Sequence, residues 1–403
     1  MLCQFTVRNY KSIRDEITLD MQAASISELK EHLLADIDGQ NFLPLGVLYG
    51  PNAGGKSNVL EALMMLANKV INPIAIARAG SGSSRLEIKP FAFSEDKTVS
   101  PTEFEVFFRT VISEYRYRLY IKGEKVVYES LDRIKKETGR RSSLFVRNSS
   151  TMRLNGDLSK IKLGEGLSES LPLLSYLGIM YMSNSTVADV LGWFGTGIAF
   201  LDYGNPYQEL STRIARDGKM KSLILDMIKE IGLDIEDFRV EQRSSSDIEV
   251  YTSHIVNGRT SELTLGEESS GTRKVFGVLP FIAESLISGT TLVVDELDAK
   301  LHPGLLKYII CLYGNPEINR KGAQLVFTSH DLSTMNNELF RRDEIWFVAK
   351  GTGQNSEMYS LVEFKSNGES VRKDARYDKQ YLEGKYGADP YFRKIVDWSV
   401  VNG

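Results

Sequence analysis

The octapeptide Gly50-Pro51-Asn52-Ala53-Gly54-Gly55-Lys56-Ser57 fits G-x-x-x-x-G-K-[ST] at every fixed position. An apolar run, LPLGVLYG, precedes it, and NVLEALMMLANKVI follows, with Val59, Leu60, Leu63, Leu66 and Val70 on one helical face. Strand, glycine loop and helix therefore come in the order that phosphate binding requires. Glycines let backbone N–H groups crowd around an oxyanion, and the helix N-terminus adds partial positive charge. Lys56 is placed to reach β- and γ-phosphates, and the Ser57 hydroxyl to ligate Mg²⁺. The expected cradle is Gly50, Asn52, Gly54, Gly55, Lys56, Ser57 and Asn58, with ATP and Mg²⁺ as cofactors and Lys56 also serving catalysis.

Such a loop needs a carboxylate at the end of a neighbouring apolar strand, and Leu292-Val293-Val294-Asp295-Glu296 supplies one. Asp295 is the expected metal partner beside Ser57. Glu296, on the other face of the strand end if the alternation continues, is the expected general base. Adjacent acids at a strand end are also found as ordinary solvated residues, and it is the upstream loop that favours chemistry here. More than half the chain separates Lys56 from Asp295. AAA+ ATPases place these motifs only a few dozen residues apart, so that class is disfavoured.

The chain can bury a large core: it has 403 residues, of which 42% are hydrophobic. Its 49 basic and 53 acidic residues leave a net charge of -4, so no global positive field draws in nucleic acid or anionic membrane. Two cysteines, Cys3 and Cys311, cannot build a disulfide framework or a four-ligand zinc site. Four dispersed histidines show no metal spacing. Charges at Arg8, Lys11, Arg14, Asp15 and Glu16 interrupt any signal-peptide pattern, and VADVLGWFGTGIAFL is short and carries Asp189. The expected compartment is the cytoplasm, with no membrane partner.

Along the chain, residues 1–84 read as the N-terminal part of the core, starting with two short strands around a polar turn. Repeated alternation in EFEVFFRTV, EYRYRLYI and EKVVYESL marks 85–150 as an antiparallel β-subdomain. Residues 151–252 read as an inserted helical lobe jointed at Gly192, Gly195, Gly197 and Gly204. The core resumes over 253–365, where TTLVVDE, AQLVFTS and EIWFVAK alternate with helical stretches around LLKYIICLYG and LSTMNNELF. Residues 366–403 form a polar, tyrosine-containing tail.

The same segments resemble the ABC-type ATPase superfamily, in the branch that includes SMC, RecF and OLD-like proteins. Phe5-Thr6-Val7-Arg8-Asn9-Tyr10-Lys11-Ser12-Ile13 is similar to that branch's "NFKSF" opening. Glu268-Ser269-Ser270-Gly271-Thr272-Arg273-Lys274 resembles a degenerate signature loop, and Asp295 through Pro303 resembles Walker B and D-loop in the form "DELDxxLHP". Ser329-His330-Asp331 resembles the switch-histidine segment. The resemblance implies an α/β P-loop NTPase: an ABC-type ATPase head with mixed sheet, antiparallel β-subdomain and inserted helical lobe. It also implies that Ser269, Ser270 and Gly271 bind the γ-phosphate held by a second subunit, and that His330 senses that phosphate and orients Glu296. By itself the serine-rich segment reads as a helix N-cap, and His302 as a helix-start residue. The superfamily's Q-loop glutamine is missing: no glutamine occurs from Asn41 through Tyr207, and Ser94, Glu95 and Asp96 stand at the candidate corner.

A signature that completes its site in trans implies a homodimer, or higher homo-oligomer, closed around ATP. The chain is too broken by glycine for a long SMC-type coiled coil, and little of it follows Asp295 to carry a Toprim nuclease. The layout, including Tyr381 to Gly387 (YLEGKYG), resembles stand-alone ATPases of bacterial abortive-infection operons. That implies an anti-phage module with a separate effector protein, a nuclease or toxin. A RecF-like ATP-dependent DNA-binding module is the alternative. The stretch DRIKKETGRRSSLFVR, with Arg133, Lys135, Lys136, Arg140, Arg141 and Arg147, is the candidate DNA or RNA contact, although such runs are more often solvated loops.

Overall fold

The structure, a computed structural model, describes residues 1–79, 87–94, 100–164, 167–201, 218–242, 248–366 and 369–388. The chain opens with β1 (Leu2–Arg8), β2 (Ile17–Asp20), β3 (Leu45–Tyr49) and α1 (Lys56–Ala79). Five strands follow: β4 (Thr102–Arg109), β5 (Ser113–Lys122), β6 (Lys125–Lys135), β7 (Arg141–Asn148) and β8 (Met152–Leu154). Next come α2 (Leu173–Met180), α3 (Ser185–Gly192), β9 (Ile198–Leu201) and α4 (Gly218–Glu230). A meander, β10 (Asp237–Gln242), β11 (Ile248–Val256) and β12 (Arg259–Thr264), leads to α5 (Ser270–Ser288). The remainder is β13 (Thr291–Val294), α6 (Pro303–Gly314), β14 (Gln324–Thr328), β15 (Ile345–Lys350), β16 (Ser356–Ser360) and α7 (Tyr377–Leu382).

Six strands form the central sheet in the order β9-β13-β14-β3-β15-β16. All neighbours are parallel except β16, which pairs antiparallel with β15. Burial on both faces explains their unbroken apolar runs. Leu45, Val47 and Tyr49 of β3 enter one core with Leu292, Val294, Leu325 and Phe327, while Leu48 turns to the other with Val293 and Val326. That second core is closed by α1, α2 and α3 and by a seven-stranded antiparallel sheet in the order β8-β7-β6-β5-β4-β1-β2. The fold is thus a mixed α/β P-loop architecture. Helix α1 is long and apolar enough to cross a membrane, an 18-residue window within Lys56–Ala77 having mean hydropathy 1.5. Here its Val59, Leu63, Leu66 and Val70 are buried between the two sheets instead.

Three segments differ from expectation. The antiparallel sheet is not confined to 85–150, because β1 pairs with β4, Val7 opposite Phe104, and brings the N-terminus into it. The stretch 151–252 is not purely helical: β9 extends the central sheet, Leu201 beside Val294, and β10 and part of β11 belong to the meander. LSTMNNELF forms turns, since Asp331 accepts from the Ser333 amide and Asn336 from those of Glu338 and Leu339. Side chains that bond nearby amides in this way offer the backbone an alternative to helix. Glu95, Asp96, Gly204 and the tail beyond Ala388 lie outside the described residues.

Candidate active site

The loop at residues 50–57 joins the carboxyl end of β3 to α1, the crevice at which open α/β sheets bind ligands. Its glycines are forced by geometry. Gly50 has φ +148°, where an added Cβ would stand 2.0 Å from the Val348 carbonyl oxygen; at Gly55, φ +111°, it would meet Ser356 Oγ at 2.0 Å. Lys56 is buried, and its ammonium donates to the carbonyls of Gly50 at 2.9 Å and Pro51 at 3.2 Å. Desolvation lowers its pKa, and the charges of Asp295, Glu296 and Asp298 act the other way. A cation held there at a desolvation cost, beside first-turn amides of α1 that have no intrahelical acceptor, suits a phosphate anion. The exposed Ser57 hydroxyl and the Asp295 carboxylate supply the hard oxygen donors that Mg²⁺ requires.

The loop is clamped from outside. Ser356 Oγ donates to the Gly54 carbonyl at 2.7 Å and pairs with Ser12 Oγ at 2.7 Å. Asn58, expected in the cradle, donates instead to Ser12 Oγ at 2.6 Å. Sequence reasoning assigned Ser12 to a family-like opening without a role and missed Ser356 altogether.

At the next strand but one, β13 ends at Val294, and the two acids lie in the turn beyond it rather than on alternating strand faces. Glu296 is exposed and has φ 49°, a left-handed conformation unusual for a non-glycine residue. Thr328, at the end of β14 between β13 and β3, donates its hydroxyl to Asp295 Oδ1 at 2.6 Å and accepts the Glu296 amide at 2.7 Å. His330 reaches this segment through its backbone, its amide donating to Asp298 Oδ2 at 3.0 Å. Among the described residues its exposed imidazole makes no hydrogen bond to Glu296.

Ser269 is the N-cap of α5 and accepts from the Thr272 amide at 3.0 Å, so the capping function read from sequence is present. Ser269 and Ser270 are nevertheless exposed, and the Ser270 hydroxyl has no hydrogen bond among the described residues. Glu268, just before them, is pinned by Thr252 Oγ1 at 2.6 Å and His254 Nε2 at 2.7 Å. His302 caps α6, its Nδ1 accepting from the Gly304 amide at 3.1 Å. A cavity of about 430 Å³ opens beside the tip, walled by Thr272, Lys300, His302, Tyr308, Glu230 and Leu233. Behind the tip, Lys274 donates to the Glu296 carbonyl at 3.4 Å, and desolvation lowers its pKa to about 8.

The basic stretch is largely consumed by structure. Arg133 pairs with Asp157 at 2.5 Å, Lys136 with Asp36 at 2.7 Å, and Arg147 donates to the carbonyls of Leu171 and Ser168. At the Q-loop corner Ser94 is described, and its amide donates to Phe91 at 3.4 Å. No cluster of three or more His, Cys, Asp or Glu that could hold a metal is found among the described residues.

Residues 45–336 match the family described as "AAA domain, putative AbiEii toxin, Type IV TA system". No curated protein matches the chain. Among solved structures, it is similar to an SMC head bound to the C-winged helix domain of ScpA, at 13% identity and TM-score 0.46, with 89% of this chain and 97% of that one covered. The SMC head domain from Thermotoga maritima matches at 14% identity and TM-score 0.42, covering 89% and 98%. The ATP complex of the recombination mediator RecF matches at 15% identity and TM-score 0.33, covering 89% and 97%.

Proposed function

The chain belongs to the AAA-domain family matched over residues 45–336, and on that premise we propose that it binds and hydrolyses ATP as an ABC-type ATPase. Gly50, Asn52, Gly54, Gly55, Lys56 and Ser57 hold the triphosphate, Lys56 turning from the loop carbonyls to the phosphates. Ser57 and Asp295 hold Mg²⁺, which when bound neutralises charge on the transferred phosphoryl group. Glu296 accepts the proton of the attacking water as general base. His330 faces the γ-phosphate once nucleotide is present.

Ser269, Ser270 and Gly271 serve the nucleotide of a second copy, so ATP closes a homodimer and hydrolysis reopens it. The observation that carries this reading is the α5 tip: capped, pinned through Glu268, and exposed. Control of a separate effector in a cytoplasmic anti-phage module is the biological setting we favour. The family description, which names one half of a toxin–antitoxin pair, supports a two-component arrangement. A RecF-like DNA-binding role is disfavoured by the pairing of Arg133, Lys136 and Arg147 within the fold.

Light scattering tests the central claim. The Glu296→Gln chain, which keeps its nucleotide but loses the base, is expected to double in mass with Mg–ATP and to hydrolyse 10²- to 10⁴-fold more slowly than wild type. Monomer mass at saturating ATP would refute the sandwich.

A further inference from the structure

We propose that Thr328 is the positioning residue that sets both carboxylates of the hydrolytic site, a role resting on the ATPase reading above. Its side chain is fully buried at the end of β14, the strand between the phosphate-loop strand β3 and the acid-bearing strand β13. A hydroxyl has one proton and two lone pairs, and here both functions are committed. The proton goes to Asp295 Oδ1 at 2.6 Å, and a lone pair takes the Glu296 amide at 2.7 Å. An ionised carboxylate only accepts and an amide only donates, so these directions cannot exchange. The Thr328 carbonyl takes a third bond, from the Leu297 amide at 3.2 Å.

One residue therefore orients the metal-binding carboxylate through its side chain and holds the backbone of the base in its left-handed conformation, φ 49°. The next residue ties this unit to the phosphate loop, since the Ser329 amide donates to Leu48 of β3 at 3.1 Å. Relative placement of Asp295, Glu296 and Lys56 then depends on β14 as a common ruler. β-Branching restricts χ1 and keeps the hydroxyl in one direction, which favours threonine at this position over a more mobile alcohol.

The test compares Thr328→Val, which keeps shape and loses both hydroxyl bonds, with Thr328→Ser, which keeps the hydroxyl. For the valine variant kcat is expected to fall roughly 10- to 100-fold, with KM for ATP within about threefold of wild type. The serine variant is expected to stay within about fivefold of wild type in kcat. Independently of turnover, half-maximal Mg²⁺ for binding a fluorescent ATP analogue is expected to rise about tenfold in the valine variant, with affinity in EDTA unchanged, because second-shell partners orient metal-binding carboxylates. If the valine variant does not fold, Thr328→Cys, with a weak S–H donor, takes its place in the same comparisons. Active wild type with a valine variant of unchanged kcat and Mg²⁺ requirement overturns the assignment alone, as does equal loss in the serine variant. Wild type that neither binds nor hydrolyses ATP overturns the ATPase reading and the assignment with it.

Discussion

Gly54 is gripped by its own chain, with Ser356 Oγ on its carbonyl and the Val348 oxygen where a side chain would begin, whereas Ser270 at the tip of α5 faces solvent with its hydroxyl unbonded among the described residues. Both are helix N-termini reached through serine- and glycine-rich turns, and both have backbone donors to offer an anion. The cradle has a buried lysine that feels the charges of Asp295, Glu296 and Asp298. The tip is steadied from behind, through Glu268 and the Ser269 cap, and borders a cavity walled by Lys300 and Glu230. On the proposed reading, the cradle is complete within one chain, while the α5 tip serves the nucleotide of a second copy.

The comparison breaks most sharply at Lys56. Lys56→Ala is expected to weaken ATP binding by about 100-fold, since a charged hydrogen bond contributes roughly 1.5–3 kcal/mol and each 1.4 kcal/mol is tenfold. Thermal melting separates the two roles: loss of both binding and stability would show the lysine to be structural, through its bonds to the Gly50 and Pro51 carbonyls. Ser270→Arg sharpens the contrast from the other side. Bulk and charge at the tip should leave ATP affinity within about threefold while cutting turnover roughly 100-fold, and the loss should be complemented in mixtures with Lys56→Ala chains. Normal turnover would mean that the tip serves no second nucleotide.

Smaller effects follow. His302→Ala removes the α6 cap and is expected to cost about 1 kcal/mol in denaturant unfolding with kcat unchanged. A large kcat loss there would move His302 from helix start to chemistry. The double change Arg140→Ala and Arg141→Ala, at exposed positions in the basic stretch, is expected to alter neither turnover nor retention on DNA at low salt; lost retention would revive the DNA-loading alternative.

The phosphate loop was legible because its requirement is local: backbone amides crowding an anion need glycine at fixed spacing, and Gly50 and Gly55 carry positive φ accordingly. Apolar runs such as LVVD and LVFTS announced strands buried on both faces. Thr328 was invisible for the opposite reason, since threonine at a strand end suits β-structure whatever its hydroxyl does. Ser356 was equally silent, because its meaning lies in Gly54 and Ser12, far away in sequence. β9 was hidden by the glycines around it, and LSTMNNELF misled because its apolar spacing suits a helix while its Asp and Asn side chains favour turns.

The clasp between Ser12 and Ser356 spans 344 positions. A ribosome therefore releases the cradle's glycine sequence long before the second serine exists to lock it. The partners of β1, by contrast, are β2 and β4, which lie far nearer to it in the chain than Ser356 does to Ser12. The outer clasp on the Gly54 carbonyl therefore closes only when β16 docks.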